Sequence, residues 1–552
     1  MSRLSSGAAP TVNAARFLVA YLERCGIDRA YCVPGESYLP VLDAFLDSSI
    51  DLVTCYHESS AGFMAVADAR FTGQPGICLV SRGPGASNAT IALHTAEQDA
   101  VPLIMFVGQV PRGHLRRESF QEIDYGKMYG SICKWVAEVS DPERLPGVLA
   151  RAMHIATDAT PGPVVIVLPE DMLEEDIAAP ADRPNVKAQT APAPDAVRQA
   201  ALLLNAAERP LILAGGALAT DRGRAALRQV AEMLDAPVMV SFRRHDLISN
   251  RHRLFGGDIG LYNTTEQMRD LAEADTVLAV GTRLGDLSTN GYSFPASPWP
   301  KQPLIHVCND AKMIGTNHQP TVAAVCPPEA FLEALANHLA PASARDGWVE
   351  TVKGHQRRIS TFTLRTAPDG IVFGNVVQAL HSRMPADAII ATDAGMSAAL
   401  MYRYFPYEPP QRLLATVTGC MGFGVPGAIA FSLRSGGRRV VLLLGDGGFL
   451  MTSNELAIAV ERKLPIVLLL ANNRSLGSIR AQQERMFPGR NSATDLSPPD
   501  FGLLARAHGC ASVTVTREEE VGDALDRAFA HDGGPILVEF RTSLSAALPG
   551  PA

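Results

Sequence analysis

Residues 439–475 read RVVLLLGDGGFLMTSNELAIAVERKLPIVLLLANNRS, and the order of apolar runs and turns in them decides the fold. The runs Val440–Leu444 and Ile466–Leu470 are unbroken, which is typical of strands in a parallel sheet with helices on both faces. Between these runs, Thr452 and Glu455 have the spacing of a capping box and predict a helix start. The stretch therefore predicts a strand, a glycine turn, a helix and a second parallel strand.

The turn after the first run holds one carboxylate among three glycines, namely Gly445, Asp446, Gly447 and Gly448. Ligands of open α/β sheets bind at the carboxyl ends of strands, where Asp446 is expected to lie. A divalent cation on a diphosphate needs oxygen ligands, so Asp446 and the amide of Asn473 are candidate metal ligands. The alternative is an ordinary crossover with a turn-forming Asp-Gly and an Asn pair that caps the strand.

The length and the punctuation of the chain predict several domains. A chain of 552 residues is too long for a single core. Loose passages at Pro180–Pro194 and Ala340–Gly347 predict domains near residues 1–182, 192–340 and 355–545. We expect an α/β fold with three doubly wound parallel-sheet domains, since strand and helix patterns alternate throughout.

Composition excludes some classes of function. Lysine and arginine total 49 against 57 acidic residues, a formal charge of −8, with no basic block, so neither nucleic acid nor an anionic membrane is an expected partner. The nine scattered cysteines predict neither a disulfide framework nor a zinc site. No apolar run is long enough to span a membrane, and we expect a cytoplasmic protein.

The spacing of the turn and the Asn pair resembles a known motif. G-D-G, then 24 residues from Gly448 to Ala471, then N-N is similar to the thiamine diphosphate (ThDP) motif of the decarboxylase and acetohydroxyacid synthase superfamily. The resemblance implies that Asp446, Asn473 and the backbone carbonyl of Ser475 hold Mg²⁺ on the cofactor's diphosphate. The third domain would then bind the diphosphate, and the first would bind the pyrimidine ring.

A second part of the resemblance lies near the N-terminus. His57 and Glu58 follow a predicted strand and precede a helix of small residues, the setting in which this superfamily has its cofactor-activating acid. The resemblance implies that Glu58 hydrogen-bonds the cofactor's pyrimidine ring, and we expect it to be buried. A helix-initiating Glu favoured by the helix dipole is the alternative interpretation.

Further cofactor contacts are implied in the third domain. Met421 lies 25 residues before Asp446, the family spacing, and would bend the cofactor. Gly419 would offer its carbonyl to the pyrimidine, and Gly395 would expose backbone N–H groups to the diphosphate. The remaining implied cofactor contacts are in the glycine turn: Gly445, Gly447 and Gly448.

Substrate-side residues follow from the same resemblance. The string F-Q-E with a downstream lysine is similar to the acetohydroxyacid synthase pattern, which implies that Phe120, Gln121 and Lys134 line the channel to the reacting carbon, with Gln121 and Lys134 acting beside Glu58 as catalytic residues. Ser478 and Gln482 are the other pocket candidates.

The chain also departs from that pattern. Gln482 stands where the synthases have a substrate-selecting Trp, and Leu287 stands where they have an Arg. The equivalent central domain of synthases binds FAD, but here the pair Gly215 and Gly216 is too weak to identify a dinucleotide site. FAD, ADP or no ligand in the central domain therefore stay open.

The resemblance implies an enzyme that uses ThDP and Mg²⁺ to decarboxylate a 2-oxo acid and to form or cleave a C–C bond through an ylid and an enamine. Its partners would be a small-molecule 2-oxo acid or aldehyde and further copies of itself, in a homodimer or homotetramer with active sites at the subunit interface. One alternative is a C–C lyase acting on a 2-hydroxyacyl-CoA or an acyloin. Another is a catalytically silent scaffold that binds a nucleotide or FAD.

Overall fold

The computed structural model describes residues 11–178, 190–341 and 344–546. No helix within these ranges is long and apolar enough to cross a bilayer. The chain contains three domains, each with a six-stranded parallel sheet flanked by helices, so the predicted α/β fold is confirmed. The predicted domain limits stay a prediction.

The first domain has a sheet whose strands run in the order β3-β2-β4-β5-β7-β6, all parallel. Every residue of β4, β5 and β7, three of the four interior strands, is buried, as expected for apolar runs covered on both faces. The short strands β1 and β8 pair antiparallel. The strands are β1 (Thr11–Asn13), β2 (Arg29–Cys32), β3 (Asp51–Thr54), β4 (Gly76–Val80), β5 (Leu103–Gln109), β6 (Trp135–Glu138), β7 (Pro163–Pro169) and β8 (Asp176–Ala178). The helices are α1 (Ala14–Arg24), α2 (Leu39–Phe45), α3 (Glu58–Thr72), α4 (Pro84–Asp99), α5 (Tyr125–Tyr129) and α6 (Leu145–Thr157).

The central domain has the parallel strand order β11-β10-β9-β12-β13-β14. Its strands are β9 (Pro210–Ala214), β10 (Val238–Ser241), β11 (Phe255–Ile259), β12 (Thr276–Val280), β13 (Leu304–Cys308) and β14 (Val322–Val325). Its helices are α7 (Pro194–Ala206), α8 (Asp221–Leu234), α9 (Thr265–Leu271) and α10 (Pro328–Ala336). The order reverses between β9 and β12, which makes the loops after these strands a crevice at the edge of the sheet.

The third domain follows α11 (Asp346–Ser360) and has the parallel strand order β16-β15-β17-β18-β20-β19. Its strands are β15 (Ile389–Thr392), β16 (Arg412–Leu414), β17 (Val440–Gly445), β18 (Ile466–Asn472), β19 (Ala511–Val515) and β20 (Ile536–Arg541). Its helices are α12 (Phe373–Leu380), α13 (Met396–Tyr404), α14 (Gly424–Arg434), α15 (Asp446–Thr452), α16 (Leu456–Glu461), α17 (Gly477–Met486), α18 (Phe501–Ala507) and α19 (Val521–Ala530). The two predicted apolar runs of the opening stretch are β17 and β18.

Spatially, the described residues form two compact units that do not follow the domain order. Of the described residues, the first unit contains 11–178 together with 416–436 and 451–464, so α14 and α16 belong to the same unit as the first sheet. The second unit contains the central domain and the third sheet.

Within the first unit, α14 packs directly on α3. Phe63 meets Phe423 edge-on with ring centroids 5.5 Å apart, and Phe71 meets Phe431 in the same way at 5.2 Å. The guanidinium of Arg434 pairs with the buried carboxylate of Asp68 at 2.6 Å. All residues of α3 from Ser60 to Ala69 are buried, because α14 covers one side of this helix and α4 packs closely against another.

The capping-box prediction is wrong. The helix begins at Asp446, immediately after β17, and a 3₁₀ turn at Ser453–Glu455 leads into α16. The Thr452 hydroxyl donates to the carbonyl of Gly422 instead of capping a helix, and Glu455 is completely buried. Both side chains therefore make contacts distant in sequence, which compete with the local capping pattern.

Candidate active site

Asp446 lies at the carboxyl end of β17 and is 2% exposed. One carboxylate oxygen accepts the Gly447 N–H at 2.8 Å, and the other accepts the Arg474 N–H at 2.7 Å. Burial raises the pKa of this carboxyl, whereas the backbone N–H donors act in the opposite direction. The structure therefore places the predicted carboxylate at the edge of the sheet, held by backbone donors from two neighbouring turns.

The turn after β18 is the second part of this site. The Arg474 N–H that binds Asp446 also lies 3.2 Å from the amide oxygen of Asn472. Arg474 has φ +56°, and the next N–H, that of Ser475, donates to the Asn473 amide oxygen at 3.0 Å. The structure thus brings Asp446 and the turn that carries Asn473 and Ser475 together.

The donor set suits a hard cation. Asp446 offers a carboxylate, Asn473 a side-chain amide oxygen and Ser475 a backbone carbonyl. No N–H or O–H of the described residues donates to the Ser475 carbonyl. No basic side chain of the described ranges lies within salt-bridge distance of Asp446, so its buried charge has no counter-ion from the chain itself. Oxygen ligands around an uncompensated buried carboxylate fit Mg²⁺.

Glycines keep the adjoining edge open. A Cβ added at Gly445 would meet no atom within 4 Å, and the same holds for Gly395, whose φ of +106° few other residues adopt. Gly395 caps the N-terminus of α13, while a Cβ at Gly448 would approach the Asp393 carboxylate to 3.1 Å. The loop after β15 and the first turn of α15 therefore lie side by side, with free space at the N-terminus of α13, a position that suits an anion. The predicted glycine turn is thus the start of a helix, and Gly447 belongs to its first turn.

Glu58 is placed in the first unit, at the carboxyl end of β3. It is the first residue of α3, after the N-cap His57, and its carboxylate accepts the Asn88 amide N–H at 2.9 Å. A Cβ at Gly85 would lie 3.3 Å from the other carboxylate oxygen. Glu58 is half-buried rather than buried, because the turn that carries it lies at the rim of the sheet.

Gly419 and Met421 also belong to the first unit. They are half-buried and follow a turn that Asp99 holds with one carboxylate oxygen, which accepts the N–H groups of Val417 and Thr418 at 2.8 and 3.2 Å. Gly419 has φ +66°, a conformation that suits glycine. Helix α4, which ends at Asp99, thereby fixes the segment that carries both predicted cofactor contacts.

Phe120 and Gln121 lie on a loop near the same edge of the first sheet. Gln121 has φ +63°, and its carbonyl would be 2.6 Å from a Cβ at Gly83, so the two backbones are in close contact. Tyr125 reinforces this contact through its hydroxyl, which accepts the Gly83 N–H at 2.8 Å. Phe120 is 75% exposed. The structure therefore brings Gln121 against Gly83 in the loop after β4, two residues before Gly85, which lies beside the Glu58 carboxylate.

Lys134 is placed elsewhere. It lies directly before β6, at the amino edge of the first sheet, whereas Glu58 follows the carboxyl end of β3. Its ammonium donates to the carbonyls of Asp158 and Thr160 at 2.7 and 2.8 Å, just after α6. Within this domain the two side chains are at opposite edges of the sheet, and the channel role of Lys134 stays a prediction.

Ser478 and Gln482 lie on α17, a helix with no buried residue. Both are exposed, and Gln482 accepts the guanidinium N–H of Arg485 at 2.6 Å. They follow the Asn473–Ser475 turn within the first two turns of α17. Their pocket role stays a prediction.

Glu455 is a residue that the sequence interpretation missed. Its carboxylate accepts the Tyr56 N–H at 3.2 Å, two residues before Glu58, and both residues belong to the first unit. Burial raises its pKa to about 7, and the Tyr56 bond acts in the opposite direction. The only sequence signal for this buried acid is its position directly before an apolar helix, and the same position is equally typical of a capping residue.

The central domain places Gly215 and Gly216 directly after β9, at its crevice. A Cβ at Gly215 would lie 2.1 Å from the Gly281 carbonyl, and one at Gly216 would lie 2.7 Å from the Arg244 guanidinium. The glycines therefore allow the loops after β9 and β12 and a buried arginine to pack closely. FAD, ADP and no ligand stay the three alternatives for this domain.

Family models match all three domains. The model of the thiamine pyrophosphate enzyme N-terminal TPP binding domain matches residues 12–128. The central-domain model of the same enzymes matches residues 197–335, and the model of their C-terminal TPP binding domain matches residues 393–540. The last range includes the whole Asp446 site, and the first includes Glu58.

Curated relatives match over nearly their full length. An acetolactate synthase of Mycobacterium bovis is 31% identical over 548 residues, which cover 96% of this chain and 88% of the relative. The large subunit of acetolactate synthase isozyme 1 of Escherichia coli is 31% identical over 545 residues, 97% of this chain and 96% of the relative. The acetolactate synthase large subunit of Corynebacterium glutamicum is 30% identical over 554 residues, 98% and 88% of the two chains. The chain therefore belongs to the thiamine pyrophosphate enzyme family, as a homologue of acetolactate synthase large subunits.

Proposed function

We propose that this thiamine diphosphate enzyme uses Mg²⁺ to decarboxylate a 2-oxo acid and to join the remaining fragment to a second carbonyl compound. The observation that carries the proposal is the buried Asp446 carboxylate, which has backbone donors but no basic partner and faces the Asn473–Ser475 turn. Its support is the match of the chain to acetolactate synthase large subunits over nearly its full length.

Bound ThDP supplies a nucleophilic carbon and an electron sink for the decarboxylated fragment. The chain's own residues hold and orient it. Asp446, Asn473 and the Ser475 carbonyl would bind Mg²⁺, and the open turns at Gly395 and Gly445 would receive the diphosphate. Gly419 and Met421 would contact the ring system.

The hydrogen bonding of Glu58 distinguishes its two carboxyl oxygens. The Asn88 amide donates to Oε2, so a proton carried by the carboxyl resides on Oε1. The missing side chain at Gly85 leaves the space beside Oε1 free for a hydrogen-bond acceptor. A positioned acid of this kind can donate to a ring nitrogen and contribute general acid–base catalysis.

The residues that would select the substrate are on exposed segments. Phe120, Ser478 and Gln482 are all exposed in the single chain and need a further surface to form a pocket. We therefore propose a homodimer or homotetramer with active sites at the subunit interface, which the resemblance to this superfamily also implies. A cytoplasmic location is part of the same proposal.

Ligand binding tests the cofactor and the metal. Protein freed of divalent cations should gain thermal stability when ThDP and Mg²⁺ are added together, by about 2.7 kcal/mol at a hundred times Kd. Little gain is expected with either one alone. The absence of any gain with both would overturn the proposal.

Products test the reaction. A panel of 2-oxo acids and aldehydes, incubated with ThDP and Mg²⁺, should yield CO₂ and a new C–C product identified by mass. Aldehyde release from an acyloin or a 2-hydroxyacyl-CoA, without any ligation of 2-oxo acids, would instead establish the lyase alternative.

Mixed subunits test the assembly. Glu58→Gln and Asp446→Ala chains are each expected to be inactive, but co-expression should restore about one quarter of the wild-type activity if each site takes one residue from each of two chains. Sites contained in one chain would give no recovery. Light scattering on the purified protein would show the number of subunits.

A further inference from the structure

A fully buried carboxylate lies on the strand next to the Asn pair. Glu539 is 0% exposed in β20, opposite Leu470 of β18 and Thr514 of β19. Its sequence neighbours Val538 and Phe540 point into the apolar core on the other face of the sheet. Burying a carboxylate costs free energy unless the carboxylate is fully hydrogen-bonded. The hydrogen-bond partners of Glu539 therefore indicate its structural role.

Three side chains donate to Glu539. The Asn472 amide N–H donates to Oε1 at 2.6 Å, and the Arg541 guanidinium lies 2.8 Å from the same oxygen. The Thr514 hydroxyl donates to Oε2 at 3.1 Å. Arg541 balances the charge, whereas Asn472 connects this carboxylate to the end of β18.

The bond from Glu539 decides the orientation of the Asn472 amide. A carboxylate can only accept, so the NH₂ group of Asn472 must face Glu539 and the amide oxygen must face the other way. That oxygen lies 3.2 Å from the Arg474 N–H. The same N–H donates to Asp446 at 2.7 Å, which joins the buried pair to the carboxylate of the proposed metal site.

This orientation also shapes the turn. Arg474 has φ +56°, a backbone conformation that residues other than glycine rarely adopt without supporting contacts. The Asn472 oxygen supports it from one side and Asp446 from the other, while the Thr542 N–H holds the Asn472 carbonyl at 2.9 Å. With the turn fixed, the Ser475 N–H reaches the Asn473 oxygen.

We infer that Glu539 and Asn472 are positioning residues, which hold the 472–475 turn so that the Asn473 amide oxygen and the Ser475 carbonyl face the cation at Asp446. The inference rests on the proposed function and deepens it, because it assigns a role to the first Asn of the pair and to a strand residue outside the motif. Neither side chain would itself be a ligand of the cation. Both act through the backbone of the turn.

The test measures Mg²⁺ binding rather than turnover. The Mg²⁺ concentration that half-saturates ThDP binding is measured by calorimetry with wild type, Glu539→Met and Asn472→Ala. Both variants should raise this concentration by about tenfold or more, as expected when support of a metal ligand is lost. Turnover at saturating Mg²⁺ should stay within about threefold of wild type, because the cation ligands themselves are unchanged.

Two further variants separate positioning from general destabilisation. Glu539→Gln keeps an acceptor for Asn472 and should return the half-saturating Mg²⁺ concentration to near the wild-type value. Thr514→Val removes the bond to the other carboxylate oxygen without touching Asn472, so it should lower the melting temperature but leave Mg²⁺ binding unchanged.

The inference would be overturned if Asn472→Ala and Glu539→Met both had the same half-saturating Mg²⁺ concentration as wild type. The proposed function would then remain intact. If Glu539→Met does not fold, Asn472→Ala decides alone. A wild-type protein without Mg²⁺-dependent ThDP binding would overturn both the inference and the proposed function.

Discussion

The first and third sheets have the same strand order, yet their carboxyl edges hold an acid in different ways. Numbered along the chain within each domain, both sheets run 2-1-3-4-6-5, whereas the central sheet runs 3-2-1-4-5-6. Asp446 is buried and receives two backbone N–H groups, while Glu58 is half-buried and receives one side-chain amide. The first acid is thus fixed by the backbone of two neighbouring segments, whereas the second is held by a single side chain at the rim of its sheet. Topology thus supplies two equivalent edges, and the loops decide their chemistry.

Asp446→Asn should have the largest effect at the buried edge. It removes the charged ligand, so ThDP binding in the presence of Mg²⁺ should weaken by more than about a hundredfold. Calorimetric titration of ThDP at fixed Mg²⁺ measures this loss. Asp526→Asn removes a negative charge from an exposed ion pair with Arg383 and serves as the control. Binding that survives in Asp446→Asn would show that the cation lies elsewhere.

Glu58→Gln should separate the two edges. Binding of ThDP and Mg²⁺ should stay within about threefold of wild type, since the rim acid does not touch the metal, but turnover should fall by about 10²- to 10⁴-fold. Steady-state rates and titrations on the same preparation give both values. Glu36→Gln, at an exposed position of the same unit, should leave the rate unchanged. A rate equal to wild type in Glu58→Gln would remove Glu58 from the mechanism.

The buried Glu455 should make the stability of the first unit depend on pH. Its pKa is raised by burial from 4.5 to about 7, so protonation favours the folded state and stability falls as pH rises between these values. Glu455→Gln resembles the protonated form and should gain stability relative to wild type across that interval, by on the order of 3 kcal/mol. Urea unfolding of the ligand-free protein at pH 5 and pH 8 measures the change.

The control for this variant is Glu461→Gln, which removes a carboxylate from the exposed end of α16. A difference between Glu455→Gln and wild type that is the same at both pH values would contradict the assignment.

Lys134→Met should have the smallest effect on the rate, because the side chain lies at the amino edge of the first sheet. Loss of its bonds to the carbonyls after α6 should cost about 1 kcal/mol of stability and change turnover by less than about threefold. Denaturant melts and steady-state rates check both. Lys127→Met, at a highly exposed position, is the matched control. A tenfold loss of rate without loss of stability would support the predicted channel role instead.

The sequence predicted the features that depend on local pattern. Unbroken apolar runs predicted strands β17 and β18, because a strand buried on both faces has no polar alternation. The glycine turn placed Asp446 at a strand end, and parallel strands bring their carboxyl ends to one edge, so its approach to the Asn473 turn could be expected. The resemblance added Glu58, whose role stays a prediction.

What the sequence could not predict depends on contacts between distant residues. Thr452 and Glu455 fit a capping box locally, but Gly422 and Tyr56 are their partners. Lys134 lies downstream of the recognisable string F-Q-E, yet only the structure shows that β6 begins at the next residue. Because β6 is parallel to β7, Lys134 lies at the amino edge of the sheet. Likewise, nothing in the strand pattern around Glu539 indicates that an acid there meets Asn472.

The first unit includes segments from late in the chain, residues 416–436 and 451–464, and this affects its folding during synthesis. Helix α3 is buried from Ser60 to Ala69, and α14, with Phe431 in the helix and Phe423 directly before it, provides part of its cover. A ribosome must add the 276 residues from 189 to 464 before this unit is complete. At about 5–20 residues per second, the nascent N-terminal domain waits roughly 14 to 55 s with an apolar helix face unprotected. Chaperone contact during translation is therefore expected at α3, and slower elongation between these positions should lower the yield of native enzyme.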